Sequence, residues 1–152
     1  MRKLIPAAVL AVVLPLAACN TMDDAAAGSV ANAGLAGTQW KLVSYTPAGD
    51  SMSKSYPRAD GRYVLEFEPG GRLNATLDCN RGTASWSEGI ANATGGTLSV
   101  SQIASTRALC AAPDMGELLA GRLPATSRYR IADDTLVLTL GSDGETMEFV
   151  AE

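Results

Sequence analysis

Two stretches of this chain carry apolar side chains at every second position. Tyr63, Leu65 and Phe67 alternate with Val64, Glu66 and Glu68, and Leu73, Ala75 and Leu77 alternate with Arg72, Asn74, Thr76 and Asp78. A period of two puts one set of side chains on one face of a strand and would scatter the same set around a helix. Pro69-Gly70-Gly71 between the two runs reads as a hairpin connection. The scheme returns near the C-terminus, with Tyr129 and Ile131, then Leu136, Leu138 and Leu140, then Met147 and Phe149, joined at Asp133-Asp134 and across Gly141 to Gly144. Consecutive short strands with tight connections pair antiparallel. Weaker strand patterns fall at residues 38–45, 83–86 and 97–101.

One segment departs from this period. Met115, Leu118, Leu119, Arg122 and Leu123 are spaced for one face of a helix, with Pro113 suited to a first helical position and Pro124 ending the run. Gly116 and Gly121 each weaken such a helix by about 1 kcal/mol relative to alanine, so it needs a sheet to pack on. The expected fold class is therefore α+β: a mainly antiparallel, curled sheet, partly open and barrel-like, with one short helix near residues 113–123. Residues 46–62, with Pro47, Gly49, Pro57 and Gly61, form the one connection long enough to suggest a role of its own.

The N-terminal segment is of another kind. Met1-Arg2-Lys3 is cationic, and Leu4 to Leu16 run without a charge. That run is shorter than the roughly 20 residues a helix needs to span a bilayer. It ends Leu16-Ala17-Ala18-Cys19, which resembles a bacterial lipoprotein signal, in which the thiol is alkylated with diacylglycerol before cleavage. The expected organisation is a signal over residues 1–18, then lipidated Cys19 and a flexible tether over 19–34, then one domain over 35–152. The tether holds mostly Ala, Gly, Asn, Ser, Thr and Asp, cannot build a core, and reaches roughly 20 Å as a coil. Asn20 follows the anchor cysteine where many inner-membrane lipoproteins carry Asp, which favours outer-membrane sorting. Lipidation also leaves Cys79 and Cys110 as an even pair in an oxidising compartment.

The chain has no histidine. That removes Ser-His-Asp and Cys-His nucleophiles and the imidazole ligands of most transition-metal sites. A formal charge of -4, more negative once Arg2 and Lys3 leave with the signal, argues against nucleic acid, which needs a basic face. Attachment to anionic lipid then has to come from acyl chains. Ser51-Met52-Ser53-Lys54 has the S-x-x-K spacing of β-lactamases and penicillin-binding proteins. The accompanying S-D-N and K-T-G signatures are absent, the segment lies in a Pro/Gly loop, and the chain is too small for that fold.

Four stretches together resemble a known family. Leu35-Ala36-Gly37-Thr38-Gln39-Trp40-Lys41-Leu42, Asp78-Cys79-Asn80-Arg81, Ile103-Ala104-Ser105-Thr106-Arg107-Ala108-Leu109-Cys110 and Leu136-Val137-Leu138 are similar, in order and spacing, to the META domain of HslJ-like heat-shock lipoproteins. Thr76-Leu77-Asp78 stands where the pattern has a glycine close upstream of Cys-Asn, and Ala108-Leu109 replaces a methionine-containing pair. The resemblance implies an envelope lipoprotein associated with heat stress and antibiotic tolerance, with no established reaction, hence not an enzyme, and no cofactor or metal. Its recurrent positions fall on Cys79, Asn80, Arg81, Thr106, Arg107 and Cys110.

Each of these positions has a structural and a contact reading. With only two thiols and no histidine, Cys79 and Cys110 complete neither a nucleophile nor a metal site, and are a disulfide or a buried thiol pair. Asn80 and Arg81 read as a turn in which the amide bonds nearby backbone, with Arg81 the exposed contact residue. Thr106 and Arg107 read as part of a buried polar cluster with Asp78 as counter-charge. The expected function is a non-catalytic envelope lipoprotein that acts through membrane attachment and an unidentified envelope protein partner. The alternative is a binding module proper, either an inhibitor of a hydrolase with an exposed loop or a carrier with an apolar cavity.

Overall fold

The computed structural model of the protein describes residues 34–60 and 62–152. The expected signal, Cys19 and nearly all of the tether lie outside the described residues. The strands are β1 (Gln39–Thr46), β2 (Tyr63–Glu68), β3 (Arg72–Leu77), β4 (Asn80–Asn92), β5 (Gly95–Val100), the short β6 (Ala104–Ser105), β7 (Thr126–Ala132), β8 (Thr135–Leu140) and β9 (Glu145–Ala151). One helix, α1 (Gly116–Arg122), runs on into a 3-10 turn at Leu123–Ala125 ahead of β7.

The expected α+β, partly open sheet is corrected by the pairing: the fold is mostly β, and the sheet is closed. Eight antiparallel strands follow one another as β3-β2-β1-β9-β8-β7-β5-β4, and β4 pairs back onto β3. Closure rests on β4, which runs for 13 residues where the sequence pattern marks only 83–86. Its first half pairs with β3, from Leu77↔Asn80 to Arg72↔Ser85, and its second half with β5, from Trp86↔Val100 to Asn92↔Gly95. One strand thus covers both edges of what would otherwise be an open sheet. At the seam β5 meets β7 through Gly95↔Arg130 and Gly96↔Tyr129. A Cβ on Gly95 would lie 2.4 Å from the Tyr129 carbonyl oxygen, so only glycine permits that approach.

The alternating residues point inward as expected. Trp40, Tyr63, Leu65, Phe67, Leu73, Leu77, Leu98, Leu136, Leu138, Leu140, Met147 and Phe149 are all buried and fill the barrel. Trp86 stands edge-on to Phe67, with ring centroids 5.5 Å apart, and donates its indole N–H to the carbonyls of Glu68 and Arg72.

The strand directions give the barrel two different ends. Leu35, the β2–β3 turn, the β4–β5 turn, the β7–β8 turn and Glu152 lie at one end. The 46–62 connection, the β3–β4 turn, the 101–125 segment and the β8–β9 turn lie at the other.

The helix expected over 113–123 starts later, at Gly116. The Asp114 carboxylate accepts the Gly116 N–H (2.8 Å) and the Tyr63 hydroxyl (3.1 Å), and that hydroxyl accepts the Met115 N–H (3.0 Å). Asp114 thereby supplies the partner that helix N-termini need, and Pro113 stays outside. Met115, Leu119 and Leu123 are buried, while Arg122, on the same stripe, reaches Glu145 at the start of β9.

Glu145 is 2% exposed. Arg122 Nε donates to its Oε1 (2.7 Å), a second guanidinium nitrogen bonds Oε2, and the Tyr45 hydroxyl donates to Oε1 (2.8 Å). The hydrogen-bonded Arg122 guanidinium holds the Glu145 carboxyl below the usual glutamate range despite burial. Because the folded value is depressed, this stabilisation is complete above the unfolded glutamate value of about 4.3 and is lost as pH falls through the folded value. Arg122→Ala strands a buried carboxylate and should be more destabilising at pH 7 than Glu145→Gln. Glu145→Gln leaves a guanidinium already 48% exposed to water and should cost about 1 kcal/mol, as at half-exposed pairs, with less loss of stability in acid. Urea titrations at pH 7 and pH 3.5 check both expectations.

Candidate contact site at the disulfide end of the barrel

The β3–β4 turn begins with Asp78 at φ 60°, a left-handed conformation that Asp tolerates better than most non-glycine residues. Cys79 follows in the turn, and its sulfur is bonded to that of Cys110, with Cα atoms 5.6 Å apart. The even pair is therefore a disulfide. It ties the turn to the segment that leads into α1.

Asn80 is not a turn residue, as the sequence suggested, but the first residue of β4, and its side chain is buried. Its carbonyl oxygen accepts the Thr106 hydroxyl (2.9 Å) and the Ala108 N–H (2.7 Å). Its amide donates to the Ala108 carbonyl (2.9 Å) and to the Cys110 sulfur (3.2 Å). Both acceptor positions and both donors of the side chain are thus engaged, all with the 106–110 segment. Thr106 accepts the Arg81 N–H on its hydroxyl (3.0 Å) and donates its own N–H to the Arg81 carbonyl (2.9 Å). Cys79, Asn80, Thr106 and Cys110 form one cluster.

The two arginines do not belong to its interior. Arg107 is exposed and forms no ion pair among the described residues, so its expected pairing with Asp78 is corrected. Asp78 is taken by Arg58, which donates to its Oδ2 (2.7 Å) and to the Ala111 carbonyl (2.7 Å), with the two side chains only 15% and 10% exposed. Arg58 wins because it arrives from the long 46–62 connection directly over the turn, whereas Arg107 lies on the solvent side of the chain that Asn80 holds. No periodicity marks Arg58; the length of its loop is the one signal that could have pointed to it. Arg81 is exposed and borders a shallow groove of about 350 Å³ on the outer wall, with Gln39, Glu66, Asn74, Thr76 and Glu152.

Asp78, Cys110 and Asp114 stand close enough to suggest metal ligands, yet each is engaged otherwise, by Arg58, by Cys79 and by Tyr63 with Gly116 N–H. Ser51 to Lys54 wrap around Asp50, whose carboxylate accepts the N–H groups of Met52 and Ser53, and Lys54 pairs with Glu148 at 3.7 Å. Lys54 is thus not held one helical turn from Ser51.

A closed eight-stranded antiparallel barrel capped by one short helix, with a disulfide across its loop end, is the class of protein that the geometry defines. The META domain family model matches residues 33–152, and the chain belongs to that family. A solved structure, described as the NMR structure of the protein from Burkholderia xenovorans, is similar at a TM-score of 0.61 and 23% identity. That match covers 78% of this chain and 83% of the other, and it bears on the fold alone. No curated protein matches the chain.

Removing Arg58 leaves Asp78 buried without its cation. Arg58→Ala should therefore lower stability by about 2–4 kcal/mol, whereas Arg107→Ala should stay within about 0.5 kcal/mol of the parent. Thermal and urea denaturation of the two variants checks this order, and equal losses would refute the assignment of Asp78 to Arg58.

Proposed function

We propose that this META-domain protein is a non-catalytic lipoprotein of the bacterial envelope. Lipidated Cys19 holds it, in the outer membrane facing the periplasm, and it supports the envelope under heat or antibiotic stress through contact with a protein partner. The observation that carries the contact reading is the polarity of the barrel. Leu35, where the tether would join, lies at the end opposite the disulfide, so the loop that carries exposed Thr106, Arg107 and Leu109 is at the end remote from the point of attachment. Of the exposed large apolar residues, Met52, Tyr56 and Leu109 lie on loops of that same end, while Ile90 stands on β4 near the other. The barrel interior speaks against a carrier of small apolar ligands, since large side chains already fill it. The absence of histidine and the turn that separates Ser51 from Lys54 support a non-catalytic role.

Among the described residues no helix is long and apolar enough to cross a membrane. The anchor is assigned to acyl chains on Cys19 from the Leu16-Ala17-Ala18-Cys19 pattern. Cys19→Ala should leave an uncleaved precursor or release the domain into the soluble periplasmic fraction. It should also fail to restore heat or antibiotic survival to a strain lacking the protein. Fully processed lipoprotein from this variant would reject the anchor, and full rescue without an anchor would reject the need for it.

A further inference from the structure

Between Thr106 and Cys110 the chain belongs to no helix or strand, yet its backbone is fixed from one side. Asn80 takes both the N–H and the C=O of Ala108, at 2.7 and 2.9 Å, and a residue offers both groups to one side in an extended, strand-like conformation. The flanking peptide planes are trans and planar. The Arg107 carbonyl and the Leu109 N–H therefore point the opposite way, outward. Leu109 is fully exposed, at 102%, immediately before the disulfide-bonded Cys110.

We propose that residues 107–110 are an inhibitory loop for a serine endopeptidase whose primary pocket accepts a large apolar side chain, with Leu109 as the inserted residue. This rests on the contact reading of the same end and names the partner class. Endopeptidase clefts read a chain by strand addition, accepting the N–H of the residue whose carbonyl is attacked and donating to the carbonyl two residues earlier. Those are the two groups that the Asn80 clamp turns outward. A flexible loop would have to be ordered on binding, whereas this one is already held by four hydrogen bonds from one side chain and a disulfide.

The same clamp explains why such a loop would inhibit rather than be consumed. Attack of the peptidase serine oxygen on the Leu109 carbonyl carbon forms an ester and breaks the bond to the Cys110 nitrogen, which takes up the serine proton through the peptidase's own base. The Cys79–Cys110 disulfide keeps that amine beside the ester. It reattacks the carbonyl carbon, the amide reforms and the proton returns to the serine oxygen before water can act.

The test uses the full-length protein in detergent with chymotrypsin, a serine endopeptidase of this specificity, and with trypsin. Inhibition of chymotrypsin with Kd below about 1 µM is expected, in the range of inhibitor interfaces of ordinary size. Leu109→Asp should weaken it by at least about 30-fold, as for loss of an interface anchor. Leu109→Arg should transfer inhibition to trypsin, and both variants should melt as the parent does, since Leu109 touches no core. Cleavage after Leu109 without inhibition, no effect on chymotrypsin, or indifference to Leu109→Asp overturns the proposal. A photo-reactive side chain at position 109 that captures a non-peptidase envelope protein in cells also overturns it while leaving the contact reading intact; no capture at all counts against the contact reading itself.

Discussion

Everything in this barrel depends on one strand being hydrogen-bonded twice over. β4 gives its first half to β3 and its second half to β5, with a register shift between Glu88 and Ala91. A sheet with two free edges exposes rows of unpaired N–H and C=O groups that invite other chains; closure removes them. The buried aromatic and leucine side chains then have walls on every side, and the short helix needs only to cover an end. Two glycines of β5 belong to the same constraint: a Cβ on Gly95 would strike the Tyr129 carbonyl of β7, and one on Gly96 the Ile90 carbonyl of β4.

At the loop end a small number of polar groups does what apolar packing does inside the wall. The Asn80 side chain makes four hydrogen bonds to a segment without regular structure, and Arg58 ties the long 46–62 connection to Asp78 and to the Ala111 carbonyl. The Asn80 amide is fully satisfied, as a buried polar group needs to be, whereas the buried Arg58 Nε has only an ion-pair contact, with Asp60 at 3.2 Å, and no hydrogen bond. The cluster positions the backbone and leaves the side chains of Arg107 and Leu109 in water. Order in the main chain together with exposure of the side chains is what a recognition loop needs and a core does not.

The strands with a strong period of two were legible, because each has one face on a well-filled interior and the other in solvent. β4 was not: from Ser87 to Asn92 its side chains are exposed on both faces, so nothing in their hydropathy distinguishes strand from loop. Closure was hidden for the same reason, and so the sheet read as partly open. Asn80 stood out through the family resemblance, but its role did not, since a buried amide at a strand start and one in a turn look the same in sequence. Arg107 and Arg58 exchange places between expectation and structure because a guanidinium pairs with the carboxylate that lies nearest in space, and loop paths are not written in periodicity.

The described barrel begins and finishes on neighbouring strands. The Glu152 N–H donates to the Gln39 carbonyl at 2.9 Å, and β1 and β9 run side by side for nearly their whole length. The order in which the strands are synthesised is thus separable from the order in which they are arranged around the barrel. A short new link from the end of β9 to the start of β1 would bridge adjacent edges, and the Gly70-Gly71 turn, at that same rim, offers a place where the ring could be opened instead. Such a circular permutant would keep the Asn80 cluster at the far rim and move only the point at which the chain enters the barrel.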